Sequence, residues 1–298
     1  SVFSFLARRK PSREPLSANA YEHTSTNMKS VNYFYFFLFL FFLLGCGVNK
    51  TNFHNNYQST ISLDYKFIDS KIEFHIRNPL NSPVRITLKS DDSLIVKSFN
   101  TITLKKASDT IFEIDNYDLK EKKLDFDIKL GDLNKAIIKE TLSLPFGEGK
   151  SFKILQAKNG TFSHFDDYSR FAIDFAMKVN DTVFSSDEGY VVGVIDFNDK
   201  YGNDLKFKNY ANYITVYNDK NGIYCQYVHL KKDKIFVKVG DKINKKQPIG
   251  LVGLSGFLDV EHLHFNALVP SKSGLKSIPV NFVNYKEDEM KKGMIVTN

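Results

Sequence analysis

The sequence has no tryptophan and only two cysteines, Cys46 and Cys225, in 298 residues. Two thiols exclude a disulfide framework and any all-cysteine zinc site. A basic stripe interleaved with stacking aromatics is also missing. Part of the net charge of +7 comes from Arg8, Arg9, Lys10 and Arg13, and beyond them Lys, Asp and Glu are interspersed. Such a surface is solvated, and no nucleic-acid partner is expected. Glycine is scarce in one region: between residues 50 and 145 there is one, Gly131, whereas thirteen occur from Gly147 onward. Tight turns therefore become frequent only beyond "LPFGEGKSF", which marks a domain boundary. No stretch shows a sustained helical period, and no internal repeat is found.

Long apolar runs are rare too, with one exception. Tyr33 to Leu44 is an unbroken apolar and aromatic run of 12 residues. It is too short to cross about 30 Å of hydrocarbon, which takes about 20 residues, and fits the core of a secretory signal. Met28 and Lys29 supply a start and a basic flank, so residues 1–27 are expected to be a leader outside the fold. "LLGC", Leu43 to Cys46, resembles the bacterial lipoprotein signal, with Leu three before the cysteine and a small residue just before it. That resemblance implies a signal peptide over 28–45, a lipid on Cys46 and a membrane anchor. The Asn-, Gln- and Ser-rich stretch 46–60 is expected to be a flexible tether.

Beyond residue 60 the chain is strand-like. From 61 to 144 short runs such as "TISLDYKF", "KIEFHIR", "VRITLKS", "NTITLK", "DTIFEI", "LDFDIKL" and "AIIKETLSL" alternate apolar with polar residues. Turn text such as "SDDS" and "KKASD" separates them. Period-2 alternation with regular turns predicts an immunoglobulin-like β-sandwich, a spacer or binding domain able to present a surface to a protein partner. His75, alone between apolar neighbours, reads as structural. The second part, 145–285, is also expected to be all-β, and 286–298 a C-terminal tail.

Four of the seven histidines fall in this second part: His164, His229, His262 and His264. In "VEHLHFNAL" His262 and His264 share one face of a strand, while Leu263 and Phe265 turn to a core. In "RFAIDFAM" Phe171, Ile173 and Phe175 define a buried face, so Asp174 projects from the other, flanked by Ala172 and Ala176. The loop "FDDYSR" is long enough to fold His164 back beside Asp174. Imidazole nitrogens plus a carboxylate suit zinc, and a catalytic zinc keeps an open place for water. Tyr227 and Cys225 share the parity of His229. Tyr227 either lines the cleft or packs. Cys225 lies about 13 Å along the strand from His229, too far for a nucleophile–base pair, and reads as a packing residue.

The order and context of these segments resemble the lysostaphin/LytM-type zinc endopeptidases that cut peptidoglycan peptides. The matching text is "SHFDDYSRFAIDFAMKVNDTVFSSDEGYVV", "YANYITVYNDKNGIYCQYVHL", "VKVGDKINKKQPIGLVGLSG" and "HLHF", over roughly residues 145 to 270. The resemblance implies the duplicated hybrid motif fold, one zinc ion on His164, Asp174 and His264, and His229 and His262 beside it. It implies hydrolysis of cross-links or stem peptides, with His262 as general base and His229 on the oxyanion, or the two exchanged. Asn180 and Lys246 stand where that family usually has glycine. The competing reading is a non-catalytic relative that binds wall or activates another hydrolase. Such relatives usually lack a metal residue, and here all five positions are intact. The expected location is the bacterial cell envelope, with Gly47 after the cysteine favouring the outer membrane of a two-membrane cell.

Overall fold

The structure, a computed structural model, describes residues 61–91, 93–99, 101–115 and 124–298. The expected leader, signal segment, Cys46 and tether lie outside the described residues. Among the described residues no helix is long and apolar enough to cross a membrane.

The first part contributes six strands: β1 (Ser62–Ile68), β2 (Lys71–Asn78), β3 (Val84–Ser90), β4 (Thr101–Leu104), β5 (Ser108–Asp115) and β6 (Leu124–Leu130). They form two three-stranded antiparallel sheets, ordered β1-β2-β5 and β4-β3-β6. The alternation read in the sequence is what builds them. In β2, Ile72, Phe74 and Ile76 are buried while Lys71, His75 and Arg77 are exposed. One element breaks the all-strand expectation, a short helix α1 (Ser93–Phe99). Its last residue, Phe99, packs edge-on against Phe74 and Phe112. Seven residues are too few to be helical by propensity, so burial of Phe99 holds the turn in place. "AIIKETLSL" is not a strand either. Ile137 and Ile138 are exposed, and the segment runs as a connector until Leu142, which bridges to Phe282.

The second part begins with β7 (Ser151–Gln156), β8 (Ile173–Phe175), β9 (Thr182–Phe184), β10 (Gly189–Ile195) and β11 (Tyr201–Gly202). Next come β12 (Tyr213–Asn218), β13 (Ile223–Val228), β14 (Leu230–Ile235), β15 (Lys242–Ile243) and β16 (Pro248–Val252). The last four are β17 (Gly256–Phe257), β18 (Leu263–Ser271), β19 (Gly274–Ser277) and β20 (Ile295–Thr297). The main sheet has the order β15-β10-β12-β13-β18-β8-β7-β20, with β19 beside β18. The expected tail 286–298 is part of this fold. Val296 of β20 is fully buried and Met290 nearly so, and β20 pairs with β7.

Strand register sorts this sheet into two faces. One face carries Ile214, Tyr227, Phe265 and Ile173 in one row and Val216, Cys225 and Ala267 in the next. All are buried in the main apolar core. The opposite face carries three rows. Tyr213, Val228, His264 and Asp174 form the first, Thr215, Gln226 and Asn266 the second, and Tyr217, Tyr224 and Leu268 the third. Residues of the third row are buried together with Phe74, Ile86 and Leu130 of the first part. The first part thus covers one end of the face whose other end holds Asp174 and His264.

Candidate metal centre

Asp174 and His264 are directly paired residues of neighbouring strands. Antiparallel pairing sets them side by side, and Ile173, Phe175, Leu263 and Phe265 anchor both strands in the core below. His164 reaches the same point from the loop after β7 and is fully buried. Asp174 Oδ1 lies 3.2 Å from His164 Nε2 and 2.9 Å from His264 Nδ1, and the two nitrogens are 3.3 Å apart. A tetrahedral ion with bonds of ~2.0–2.1 Å holds its ligand atoms about 3.3 Å apart. His164, Asp174 and His264 are the group whose side chains could together hold a metal ion among the described residues.

Proton bookkeeping supports a cation here. His164 Nδ1 faces the carbonyl of Ala157 at 3.1 Å. A carbonyl only accepts, so Nδ1 carries a proton, which leaves Nε2 as the nitrogen turned to the cluster. Nε2 points at a carboxylate oxygen, which only accepts. A ring nitrogen and a carboxylate oxygen 3.2 Å apart inside a buried site call for a positive charge between them, a proton or a metal ion. The residues present therefore fit a zinc ion, which takes imidazole nitrogen and carboxylate oxygen.

The other two predicted histidines are there as well. His262, just before β18, places Nε2 3.7 Å from Asp174 Oδ1 and donates Nδ1–H to Val260 O at 2.8 Å. His229 donates Nδ1–H to Ser255 O at 2.7 Å, and its ring centroid is 4.6 Å from that of His262 and 6.0 Å from that of His264. Strand alternation alone misplaces His229, because Tyr227 and Cys225, of the same parity, point into the core. His229 escapes that parity through a left-handed backbone, φ 67°, immediately after β13 ends. Gly253 makes room for this turn. Its amide donates to His229 O, and a Cβ on it would lie 2.3 Å from Lys231 Cα.

Tyr227 does not line the cleft. It is fully buried, and its hydroxyl accepts from the Ser186 amide at 2.6 Å. Cys225 is a buried free thiol whose pKa is pushed up by burial, as a packing residue's should be. His75 sits on β2, 2.6 Å from Glu73, and takes no part in the cluster.

Burial sets the electrostatics of the site. Burial alone would raise the pKa of Asp174. The charge of His262 and hydrogen bonds from His164 and His264 outweigh it and hold the carboxyl well below its ordinary value. Burial, then the charges of His262 and His264, push His229 well below the ordinary imidazole range. Burial also lowers His264, against the pull of Asp174.

Sequence reasoning missed the residues that hold these side chains. Ser255 accepts from His229 through its carbonyl, while its hydroxyl donates to Leu230 O and accepts from the Asn212 amide. Gln156 donates to Asp174 Oδ2 at 3.0 Å. Neither carries a chemical signature in one sequence. A buried glutamine ending a strand that pairs with the ligand strand is visible only once register is known.

Comparison with known proteins bears on the same segment. Residues 169–274 match the model of Peptidase family M23, a range that takes in Asp174, His229, His262 and His264 and begins after His164. An "Uncharacterized metalloprotease" of Buchnera aphidicola subsp. Baizongia pistaciae is 33% identical over 100 residues, 34% of this chain and 23% of that protein. Peptidoglycan DD-endopeptidase ShyB of Vibrio cholerae serotype O1 is 34% identical over 100 residues, 33% of this chain and 20% of that protein. The match thus spans less than a quarter of the length of these curated relatives. The solved antimicrobial peptidase lysostaphin from Staphylococcus simulans is 25% identical, with a TM-score of 0.31 over 42% of this chain and 47% of that one. The family match and the named relatives support a peptidase.

Proposed function

We propose, taking the match to Peptidase family M23 as premise, that the chain is a zinc-dependent endopeptidase hydrolysing peptide bonds in peptidoglycan. One observation carries the metal reading. Three potential ligand atoms from three segments lie within 4.8 Å of one another, and His164 gives its Nδ1–H to Ala157 O, which turns Nε2 toward the other two. His164, Asp174 and His264 are the ligands in this reading. When bound, zinc lowers the pKa of water to about 7 and polarises a peptide carbonyl.

The chain's own residues do the rest. His262 is the base. Its Nε2 takes the proton of the attacking water and passes it to the leaving amine, and Asp174, 3.7 Å away, stabilises the imidazolium formed. His229 suits a different role from the oxyanion donor expected from the sequence. A donor needs a proton on Nε2, but the proton of His229 sits on Nδ1 with Ser255 O, and burial keeps the ring neutral. Its Nε2 therefore accepts a hydrogen bond and orients the water or the substrate amide.

The same proposal extends to lipid attachment at Cys46, a tethered position in the cell envelope, and an immunoglobulin-like sandwich for residues 61–144. The two three-stranded sheets of the first part support the last of these. The decisive experiment is a zymogram on purified cell wall with and without chelator, completed by mass spectrometry of the products. Clearing that stops with chelator and returns with zinc is expected. Clearing that survives chelation, or none with any metal, rejects the proposal.

A further inference from the structure

We infer that Gln156 is a positioning residue that locks Asp174 and the His164 loop into the geometry that binds the metal. The inference rests on the zinc reading above. Strand register first points to it. Ile154 pairs with Phe175, and unbroken antiparallel pairing would set Gln156 opposite Ile173. Instead the register shifts between Ile154 and Gln156, and Gln156 pairs with Asp174. A bulge of this kind re-aims a side chain at the cost of local ladder bonding. Here Ile154 keeps its place in the core while Gln156 turns to the carboxylate.

The amide is then used completely. Gln156 is 9% exposed. Its Nε2 donates to Asp174 Oδ2 at 3.0 Å and to Ser163 Oγ at 2.8 Å, and its Oε1 accepts from the Phe162 amide at 3.0 Å. Ser163 directly precedes His164. One side chain therefore ties two ligand-bearing segments together. An aspartate free to turn about its Cβ–Cγ bond can offer either oxygen. With Oδ2 held by an N–H, Oδ1 is left facing the imidazoles.

Gly160 gives an independent sign that the loop is built around this amide. A Cβ at Gly160 would lie 2.1 Å from Gln156 Cγ and 2.6 Å from Oε1. Gly160 is outside the left-handed region, so an alanine there is opposed by Gln156 and not by its own backbone.

Zinc affinity of the metal-free full chain, measured by competition with a chromogenic chelator, tests the inference. Gln156→Met keeps the volume and removes the donors. It is expected to weaken zinc binding about 10–100-fold, the usual effect of removing a residue that orients a ligand. Activity should recover as zinc is raised. Gly160→Ala should weaken binding in the same direction, and in a Gln156→Ala background it should add little, because the three atoms nearest the new methyl, Cγ, Cδ and Oε1 of Gln156, are then gone. Wild-type affinity in Gln156→Met overturns the inference, and so do losses that simply add in the double variant. Should Gln156→Met not fold, the Gly160→Ala and double-variant comparison decides. A wild-type chain that binds no zinc fails the metal-site reading itself, a separate outcome.

Discussion

His262 and His264 stand two positions apart and face one carboxylate, yet their geometries ask different things of them. His264 Nδ1 is 2.9 Å from Asp174 Oδ1, at ligand spacing, whereas His262 Nε2 is 3.7 Å away with its proton committed to Val260 O. His264→Ala is expected to lose both zinc and activity. His262→Ala should keep one zinc per chain and lose activity by about 10²–10⁴-fold, the usual share of a general base. Metal analysis of the two purified variants, beside a wall-hydrolysis assay, separates them. Full metal content in His264→Ala rejects the ligand assignment. The buried rings also set a pH dependence. His229 and His264 have pKa values below those of the unfolded chain, ordinarily about 6.5. Between the folded and unfolded values the unfolded chain binds more protons, so stability rises with pH there. The metal-free protein should therefore hold its stability above about pH 6.5 and lose it steadily as pH falls below that. Asp174, lowered likewise, adds its own loss below the ordinary carboxylate range. Denaturant midpoints across a pH series read this directly, and a profile flat from neutral to about pH 5 contradicts it.

At the scale of elements, alternation made β2 and β5 readable, because each turns one face inward and leaves the other exposed. Asp174 and His264 follow the same alternation, since both lie within paired strands and stand on the face opposite Ile173 and Phe265. It could not place His229, whose side chain leaves the strand's parity through a positive φ. Nor could it show Gln156, whose orientation comes from a register shift between β7, outside the motif text, and β8. Helix α1 and the connector at 136–144 were misread for a related reason, in that tertiary contacts decided them and local pattern did not. Turn chemistry was more legible. Asn180 and Lys246, the positions where the resembled family usually has glycine, both have positive φ, at 76° and 64°. A non-glycine residue loses roughly 1–2 kcal/mol in the left-handed region, and glycine gives back part of that advantage as chain entropy. Lys246 is exposed, and its amide donates to Ser185 O whichever side chain it bears. Lys246→Gly is expected to stabilise by about 0.5–1 kcal/mol, read as a higher denaturant midpoint with unchanged slope. Asn180 is a poorer test because its Oδ1 accepts from Lys231 at 2.6 Å.

For the whole molecule, the two parts are joined by more than a linker. Val192, Tyr217, Tyr224 and Leu268 of the second part share one apolar core with the first, and each is at most 1% exposed. Polar contacts seal the same seam. Ser82 Oγ and Tyr224 OH are 2.6 Å apart, and the Arg85 guanidinium, itself buried, donates to Ser271 O at 2.8 Å. Leu268 lies four residues along β18 from His264, roughly 13 Å at strand rise. The first part is therefore built against the sheet that positions the metal ligands. Burying a large apolar side chain is worth about 1.5–3 kcal/mol, so four of them approach the entire stability of a typical domain, about 5–15 kcal/mol. A chain cut to residues 145–298 should accordingly unfold at a clearly lower denaturant concentration than residues 61–298, and the longer chain should unfold in one transition seen alike by tyrosine fluorescence and circular dichroism. Two separate transitions, with the second unchanged by the cut, would show the first part to be an independent spacer after all. Leu268→Ala offers a milder version of the same test: it should cost about 2–5 kcal/mol, as large-to-small core changes do, and that cost should shrink once residues 61–144 are removed, because the side chain then has little left to pack against.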